Sequence, residues 1–347
     1  MTTRYASDQN KVVMKFESGT YAGSISVVGN ATDGWIGQVQ SFDLTEEQGV
    51  QETRYLGNLK RGYAKFTDGP EDVTGTLTYN PQDMRLVAQA IGSVVAVSST
   101  GSNALVYATE FETDKCQSVW ISGTSEDMGR PYSFAIEDSK QAPGTHANWI
   151  KTARGCSINT LTIEASEGEK VKVDLDVIAQ TVEYSSGATS SVTANTNVEP
   201  YLWSDSILTL SGTVMNTCKD WSLEISNNLE APHYVNGSKV IGNIMPLNRD
   251  YTLSVTADLE NPTGEVFYKI YKAGTNFNAD ITLDKTKATG DNGSQYAVFG
   301  MSGCVITEMD APSEVEGINE VTMTIRPQYL TGSFLDSTDY VGSYNPW

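Results

Sequence analysis

The stretch GCSINTLTIEASEGEKVKVDLDVIAQ, Gly155 to Gln180, decides the reading of this chain, because GCVITEMDAPSEVEGINEVTMTIRPQ, Gly303 to Gln328, answers it without a gap. Cys156 corresponds to Cys304, Ile158 to Ile306, Val173 to Val321 and Gln180 to Gln328, every pair 148 positions apart. Few letters match, so the resemblance lies in pattern. An apolar run (Ile158, Leu161 and Ile163 against Ile306 and Met309) is followed by a turn rich in Glu, Gly and Ser, and then by a second, strict alternation. There Val173, Leu175 and Val177 take one side while Lys172, Asp174 and Asp176 take the other. That period of two is the signature of a half-buried β-strand. A repeat of this length bears on the whole fold, and the remaining sequence is read as two halves.

Upstream, Val39, Phe42 and Leu44 alternate, and Trp221 and Leu223 do the same 179 positions later (Phe42 to Trp221, Leu44 to Leu223). Asp72 matches Asp250 and Leu77 matches Val255 at a separation of 178, so one single-residue gap joins the two alignments. The polar stretch Glu46 to Asp72 reads as a long loop before the strand VTGTLTYN, and Asn227 to Arg249 is its counterpart before YTLSVTADLEN. Asn80-Pro81 and Asn261-Pro262 then each open a short helical pattern that closes at Gly92 and Gly274. Asn suits an N-cap, Pro the first helical position and Gly the residue past the end. The predicted buried faces are Met84, Val87 and Ile91 in the first helix, and Val266, Ile270 and Tyr271 in the second.

Between helix and Gly-Cys strand the halves diverge. The first spends Ser93 to Arg154, with strand candidates ALVYATEF, SVWISG and YSFAIED; the second needs only Thr275 to Ser302, with ADITLD and SQYAVFG. An insertion of roughly thirty residues near 95–150 is expected in the first half, since lengthening a surface loop costs little entropy. The segment YSSGATSSVTANTNVEP reads as an exposed linker, and ILTLSGTVM as the strand that opens the second half. Residues 1–37 read as an extended arm followed by a strand, and TGSFLDSTDYVGSYNPW as a C-terminal arm. The expected architecture is all-β with one short helix per repeat, in two β domains at 1–190 and 191–347.

Length permits two ordinary cores in 347 residues. The 23 Lys and Arg against 43 Asp and Glu leave a net charge of −20. Gripping nucleic acid requires cations that displace counterions, so tight DNA binding is excluded, whereas an acidic wall suits DNA that must pass without sticking. No apolar core of signal-peptide length opens the chain and no run of about eighteen apolar residues occurs, so a soluble protein without membrane insertion is expected. Cys116, Cys156, Cys218 and Cys304 lack metal-site spacing and read as free, buried thiols. Only His146 and His233 are available, which leaves too little for a His-based triad or metal site. Phosphate-loop, nucleophile-elbow and HExxH motifs are missing, and DSTD and TGDNGS lack the spacing and closing Glu of a calcium loop. No catalytic, cofactor or metal residues are assigned, and the chain is read as a non-enzyme. Acid pairs such as Glu46 and Glu47 read as surface charge. The basic cluster Arg54, Lys60, Arg61 and Lys65 reads either as a solvated loop or as an intersubunit contact with acidic neighbours.

The order of elements, SGTYAG and GWIGQVQSF in the arm, long loop, strand, NP-started helix, and then GCSINTLTI, ASEGE and KVKVDLDVIAQ, resembles the tail tube (major tail) proteins of tailed viruses, in their duplicated-domain form. The resemblance covers about 38–180 and 207–328. It implies two tandem β-sandwich or split-barrel units, three chains per pseudo-hexameric ring, and rings stacked into a tube in the virion tail after assembly in the host cytoplasm. Implied partners are further copies of the chain, a tape-measure protein and tail-end proteins, with viral DNA passing unbound. The same resemblance maps the loop Glu46 to Asp72 onto a contact with the adjacent ring, and makes Asp174 and Asp176 candidate lumen acids. An alternative is a glycan-recognising β-sandwich module on a virion or cell surface, suggested by the scattered Trp residues.

Overall fold

The computed structural model of the chain describes residues 10–16, 36–55, 63, 65–82, 84, 86–87, 90, 95–97, 105–109, 134–141, 147–187, 199–242, 244–259, 263–285, 296–312 and 319–336. The first half contributes β1 (Asn10–Phe16), β2 (Gln38–Thr53), β3 (Lys65–Asn80), β4 (Val95–Val97), β5 (Leu105–Thr109), β6 (Phe134–Lys140), β7 (Trp149–Ser166), β8 (Lys172–Ala179) and β9 (Thr181–Ser185). The second contributes β10 (Ser206–Leu210), β11 (Thr213–Val214), β12 (Cys218–Ser226), β13 (Leu229–Glu230), β14 (Met245–Pro246) and β15 (Asp250–Asp258). After the helix α1 (Thr263–Ala273) it continues with β16 (Phe277–Asp284), β17 (Tyr296–Asp310), β18 (Glu320–Arg326) and β19 (Tyr329–Asp336). The chain is all-β with a short helix, as its alternations predict. Among the described residues no helix is long and apolar enough to cross a membrane.

The Gly-Cys stretch turns out to be where one strand serves two sheets. The C-terminal part of β7 lies between β8 and β12, and its N-terminal part between β6 and β9. The change falls at Gly155, whose φ of 64° is a left-handed conformation costly for any residue with a Cβ; Gly303 has the same φ in β17. At Gly303 a Cβ would also collide with the side chain of Gln328, the residue that closes the repeat. Main-chain bonds from Gln180 to Arg154 (2.9 Å) and from Gln328 to Ser302 (3.1 Å) tie each bend in the same way.

The two halves carry the same ladder down to its irregularities. Phe134 faces Cys156 as Phe277 faces Cys304, each followed by a register shift. The pairing of β7 with β8 slips between Ile158 and Thr160, and that of β17 with β18 between Ile306 and Glu308. A third bulge, between Val39 and Ser41 on β2, recurs between Cys218 and Asp220 on β12. These coincidences also identify β1: Met14 faces Ile136 as Leu210 faces Ala279, so NKVVMKF is the counterpart of SILTL. Because β6 corresponds to β16, YSFAIED belongs to the shared frame and the surplus of the first half precedes it. Part of that surplus, β5, pairs with β19 of the second half.

The resulting inner sheet has eight strands in the order β2-β3-β8-β7-β12-β15-β18-β17, all antiparallel. One apolar rib crosses it: Val39, Tyr79, Val173, Ile163, Leu223, Leu253, Ile325 and Ile306 stand opposite one another in turn. From Tyr79 to Ile306 every member is buried. The halves are therefore joined through a common core and a common sheet, across the β7–β12 seam. Outer strands β6 and β9 flank the lower part of β7, with β1 beyond β6; β16 and β19 flank β17 in the same way, with β10 beyond β16.

Two expectations change. The stretch Glu46 to Asp72 is mostly hairpin, because β2 and β3 continue for sixteen residues each. Both faces of its distal part meet solvent, so no apolar alternation announces it. In α1 the buried side chain is Phe267, with Ile270 and Tyr271 packed on the core, while Val266 is exposed. The end of α1 is as expected: Gly274 at φ 59° donates to Tyr271 and Thr275 donates to Ile270, satisfying the last carbonyls. Its Asn261-Pro262 start lies outside the described residues. In the first helical pattern Leu86, Val87 and Ala90 are helical and buried, as is the side chain of Met84, while Ile91 and Gly92 lie outside the described residues. The linker over 188–198, the strand candidate SVWISG and the C-terminal arm beyond Asp336 also lie outside them.

Candidate functional site

The inner sheet presents its other face as rows of Ser, Thr and acids. One row runs Asp43, Thr76, Asp176, Thr160, Ser226 and Asp250; the next runs Ser41, Thr78, Asp174, Thr162, Glu224 and Thr252. A third runs Lys172, Glu164, Ser222, Ser254, Thr324 and Glu308. Thr76, Asp176, Glu224, Ser254 and Glu308 are exposed. Small hydroxyls keep this face low and polar, and the carboxylates give it a negative sign.

Asp174 and Asp176 both stand on this face, two places apart on β8. Asp176 points freely outward. Asp174 is held: it accepts the Thr78 hydroxyl at 2.5 Å and pairs with Lys172 at 2.8 Å. Lys172 also meets Glu164 at 2.7 Å, and these two carboxylates raise its pKa above the ordinary lysine range. Lys219 is likewise bridged between Asp258 (2.7 Å) and Glu320 (2.6 Å). Each lysine thus offsets part of the acid load in the middle of the sheet.

The two outermost strands differ from the seam between the halves. Along β2 and the upper part of β17, no described strand covers the free edge. Phe42 and Leu44 on β2 and Met309 on β17 are only partly buried, whereas their counterparts Trp221, Leu223 and Leu161 lie in the core. These edge residues were invisible as a site in the sequence, although the alignment of the halves already pairs them with buried apolar residues.

The β2–β3 hairpin forms a second surface. Towards its tip Val50, Tyr55 and Phe66 are exposed, and Arg54 stacks over Tyr63 at 4.2 Å. Lys65 is exposed at the start of β3; Lys60 and Arg61 lie outside the described residues. Along its stem the hairpin receives the long loop of the second half. Glu71 N–H donates to Lys239 O at 2.9 Å, Lys239 pairs with Asp68 at 3.0 Å, and His233 Nε2 lies 2.9 Å from Asp72. His233 is thus a contact between the halves, while His146 lies outside the described residues. Asn227, buried where that loop begins, donates to Ala90 O (3.0 Å) and Ile158 O (2.9 Å) and accepts from Arg249 (2.6 Å).

Of the described tryptophans, Trp221 is buried and donates to Ser206, and Trp149 packs against Tyr184. Cys156 and Cys304 are buried thiols and Cys218 is half-buried. Among the described residues no group of three His, Cys, Asp or Glu is placed to hold a metal ion.

The described chain is an all-β protein whose two halves share one sheet and one long polar face. Comparison of the sequence with family models is more specific: residues 80–327 match that of the phage tail tube protein, and the chain belongs to this family. The match begins at the Asn80-Pro81 helix start and ends past β18, spanning both halves. It assigns the chain a structural role in the virion tail. No curated protein matches it.

Proposed function

We propose that the chain assembles into closed rings that stack as the wall of a tail tube, through which the genome is delivered. Three copies, each contributing two equivalent units from a duplicated domain, make a pseudo-hexameric ring. One observation carries this reading. The last inner strand of the first unit, β7, already pairs with the first inner strand of the second, β12, while for the equivalent strands, the upper part of β17 and β2, no described strand pairs with the second edge. Head-to-tail contacts that close make rings, and ring closure removes edges that would otherwise invite indiscriminate pairing.

In this reading the polar face of the inner sheet lines the bore. Asp174 and Asp176 are lumen acids, and Lys172 on the same face is held between Asp174 and Glu164 rather than offered to passing DNA. The β2–β3 hairpin reaches the adjacent ring, and the basic cluster Arg54, Lys60, Arg61 and Lys65 of the sequence that joins its strands supplies the contact. A tape-measure protein occupies the bore during assembly in the host cytoplasm, and tail-end proteins cap the stack. Electron microscopy of the concentrated, purified chain tests the reading. Hollow tubes or ring stacks with three- or six-fold averages are expected; a chain that stays monomeric at every concentration overturns it.

A further inference from the structure

We propose that a second copy of this chain docks its β2 edge on β17 in one defined register, with Glu47 opposite Glu308, Glu46 opposite Met309, Thr45 opposite Asp310 and Leu44 opposite Ala311, and that the acids of this seam make docking depend on ionic strength. The proposal rests on the ring reading and adds its partner register and its control.

The register is transposed from the seam inside the chain. There Ser226 faces Thr160, Ile225 faces Leu161, Glu224 faces Thr162 and Leu223 faces Ile163. β2 and β12 share their bulge, as do β7 and β17, so each residue of the internal seam has one counterpart at the open edges. Docking would bury Leu44 and Met309 as Leu223 and Leu161 are already buried. It would also pair backbone groups that otherwise face water.

The seams differ in charge and length. The internal one runs for seven facing pairs, from Asp220 and Ser166 to Ser226 and Thr160, and its Glu164 is paired with Lys172. At the open edges β17 leaves β18 at Asp310, and Pro312, which has no N–H, follows soon after. Glu47 and Glu308 would stand directly opposite, with Asp43 and Asp310 nearby, and none of these four has an ion pair among the described residues. Like charges facing across strands oppose pairing, and salt screens them. The chain therefore has a permanent internal seam and a shorter, charge-opposed external one.

Cysteine pairs read the register. T45C/D310C and E46C/M309C, one for each of the two alternating pair geometries, are oxidised beside the native chain and an offset control, T45C/E308C. Covalent multimers from at least one in-register variant and none from the control are expected. Equal cross-linking of the control, or none from the in-register variants while rings still form, overturns the register and leaves the ring reading standing. Loss of all association, in the native chain too, removes both. Sedimentation against NaCl reads the control: association of the native chain rises between about 50 and about 500 mM. E47Q/E308Q lowers the half-association concentration roughly threefold at the lower salt. Association that weakens with salt overturns the charge argument.

Discussion

In the second half β12 and β15 each end after nine residues, while in the first half the equivalent β2 and β3 run on for sixteen. The shared nine residues carry the common bulge and the apolar rib; the extra length carries none of the core. What the halves have in common is thus what the fold needs, and where they differ the chain meets something else. The second half's loop already shows such a meeting, since Lys239 and His233 hold the stem of the first half's hairpin. The same logic separates Leu223, sealed in the internal seam, from Leu44, half-open on β2.

The largest effect comes from breaking that last pair of equivalents. Leu223→Ala removes a fully buried side chain from a rib spanning the sheet and should cost about 3 kcal/mol, whereas Leu44→Ala in the dispersed chain should cost about 1 kcal/mol. Urea denaturation at low protein concentration measures both. Equal losses would mean that β2 is already covered in the single chain, and the contrast between seams would fall.

Asn227 sharpens the comparison next. Asn227→Ala leaves the carbonyls of Ala90 and Ile158 and the Arg249 guanidinium without the amide that joins them, an expected loss of about 2 kcal/mol. Its equivalent on β2 is Gln48, exposed at the open edge, and Gln48→Ala should stay within about 0.5 kcal/mol. The same denaturation series checks the pair. If Q48A costs as much as N227A, the two strand ends are not in different environments.

Much of this was legible beforehand because the repeat has a backbone reason. Gly155 and Gly303 must adopt a left-handed φ, Gln180 and Gln328 close the same bend, and Val173, Leu175 and Val177 must alternate to reach the core. The cap of α1 was equally readable, since Gly274 acts locally. Other features had no local signal. NKVVMKF shares almost no letters with SILTL, and only pairing with β6 reveals it as the opening strand. The distal β2–β3 hairpin meets solvent on both faces, so it reads as loop although its strands stay paired as far as Thr53 opposite Lys65. The place of Asp174 and Asp176 on a polar strand face was legible from period; that Asp174 is tied to Thr78 and Lys172 depends on neighbours 96 positions and two positions away. The edge residues of β2 and β17 carry no signal of their own, because an edge is a property of what does not stand beside a strand.

A smaller effect tests the bend itself. Gly303→Ala forces a Cβ into the left-handed region and against Gln328, at a cost of roughly 1 to 2 kcal/mol. Adding Gln328→Ala should recover the steric part and leave the conformational part. Thermal unfolding of the single and double variants separates the two, and a double variant no better than G303A would show that Gln328 yields freely.

The smallest effect concerns the thiol beside that bend. Burial, reinforced by the nearby Asp280 carboxylate, pushes the Cys304 thiol up to about 11 from an ordinary value of 9.0. In the unfolded chain the thiol ionises first, so above pH 9 the unfolded state sheds a proton that the folded state still holds. Stability from this residue is therefore complete below pH 9 and declines as the pH rises towards about 11. Cys304→Ser removes the titrating group while keeping a side chain of similar shape. The denaturation midpoint of the native chain should fall more steeply between pH 9 and 11 than that of C304S, and parallel curves would mean that the Gly-Cys bend admits water. Slow reaction of Cys304 with a thiol reagent at pH 8 in the folded chain, and fast reaction in urea, would locate the protection in packing at the bend, since the thiolate is the reactive species.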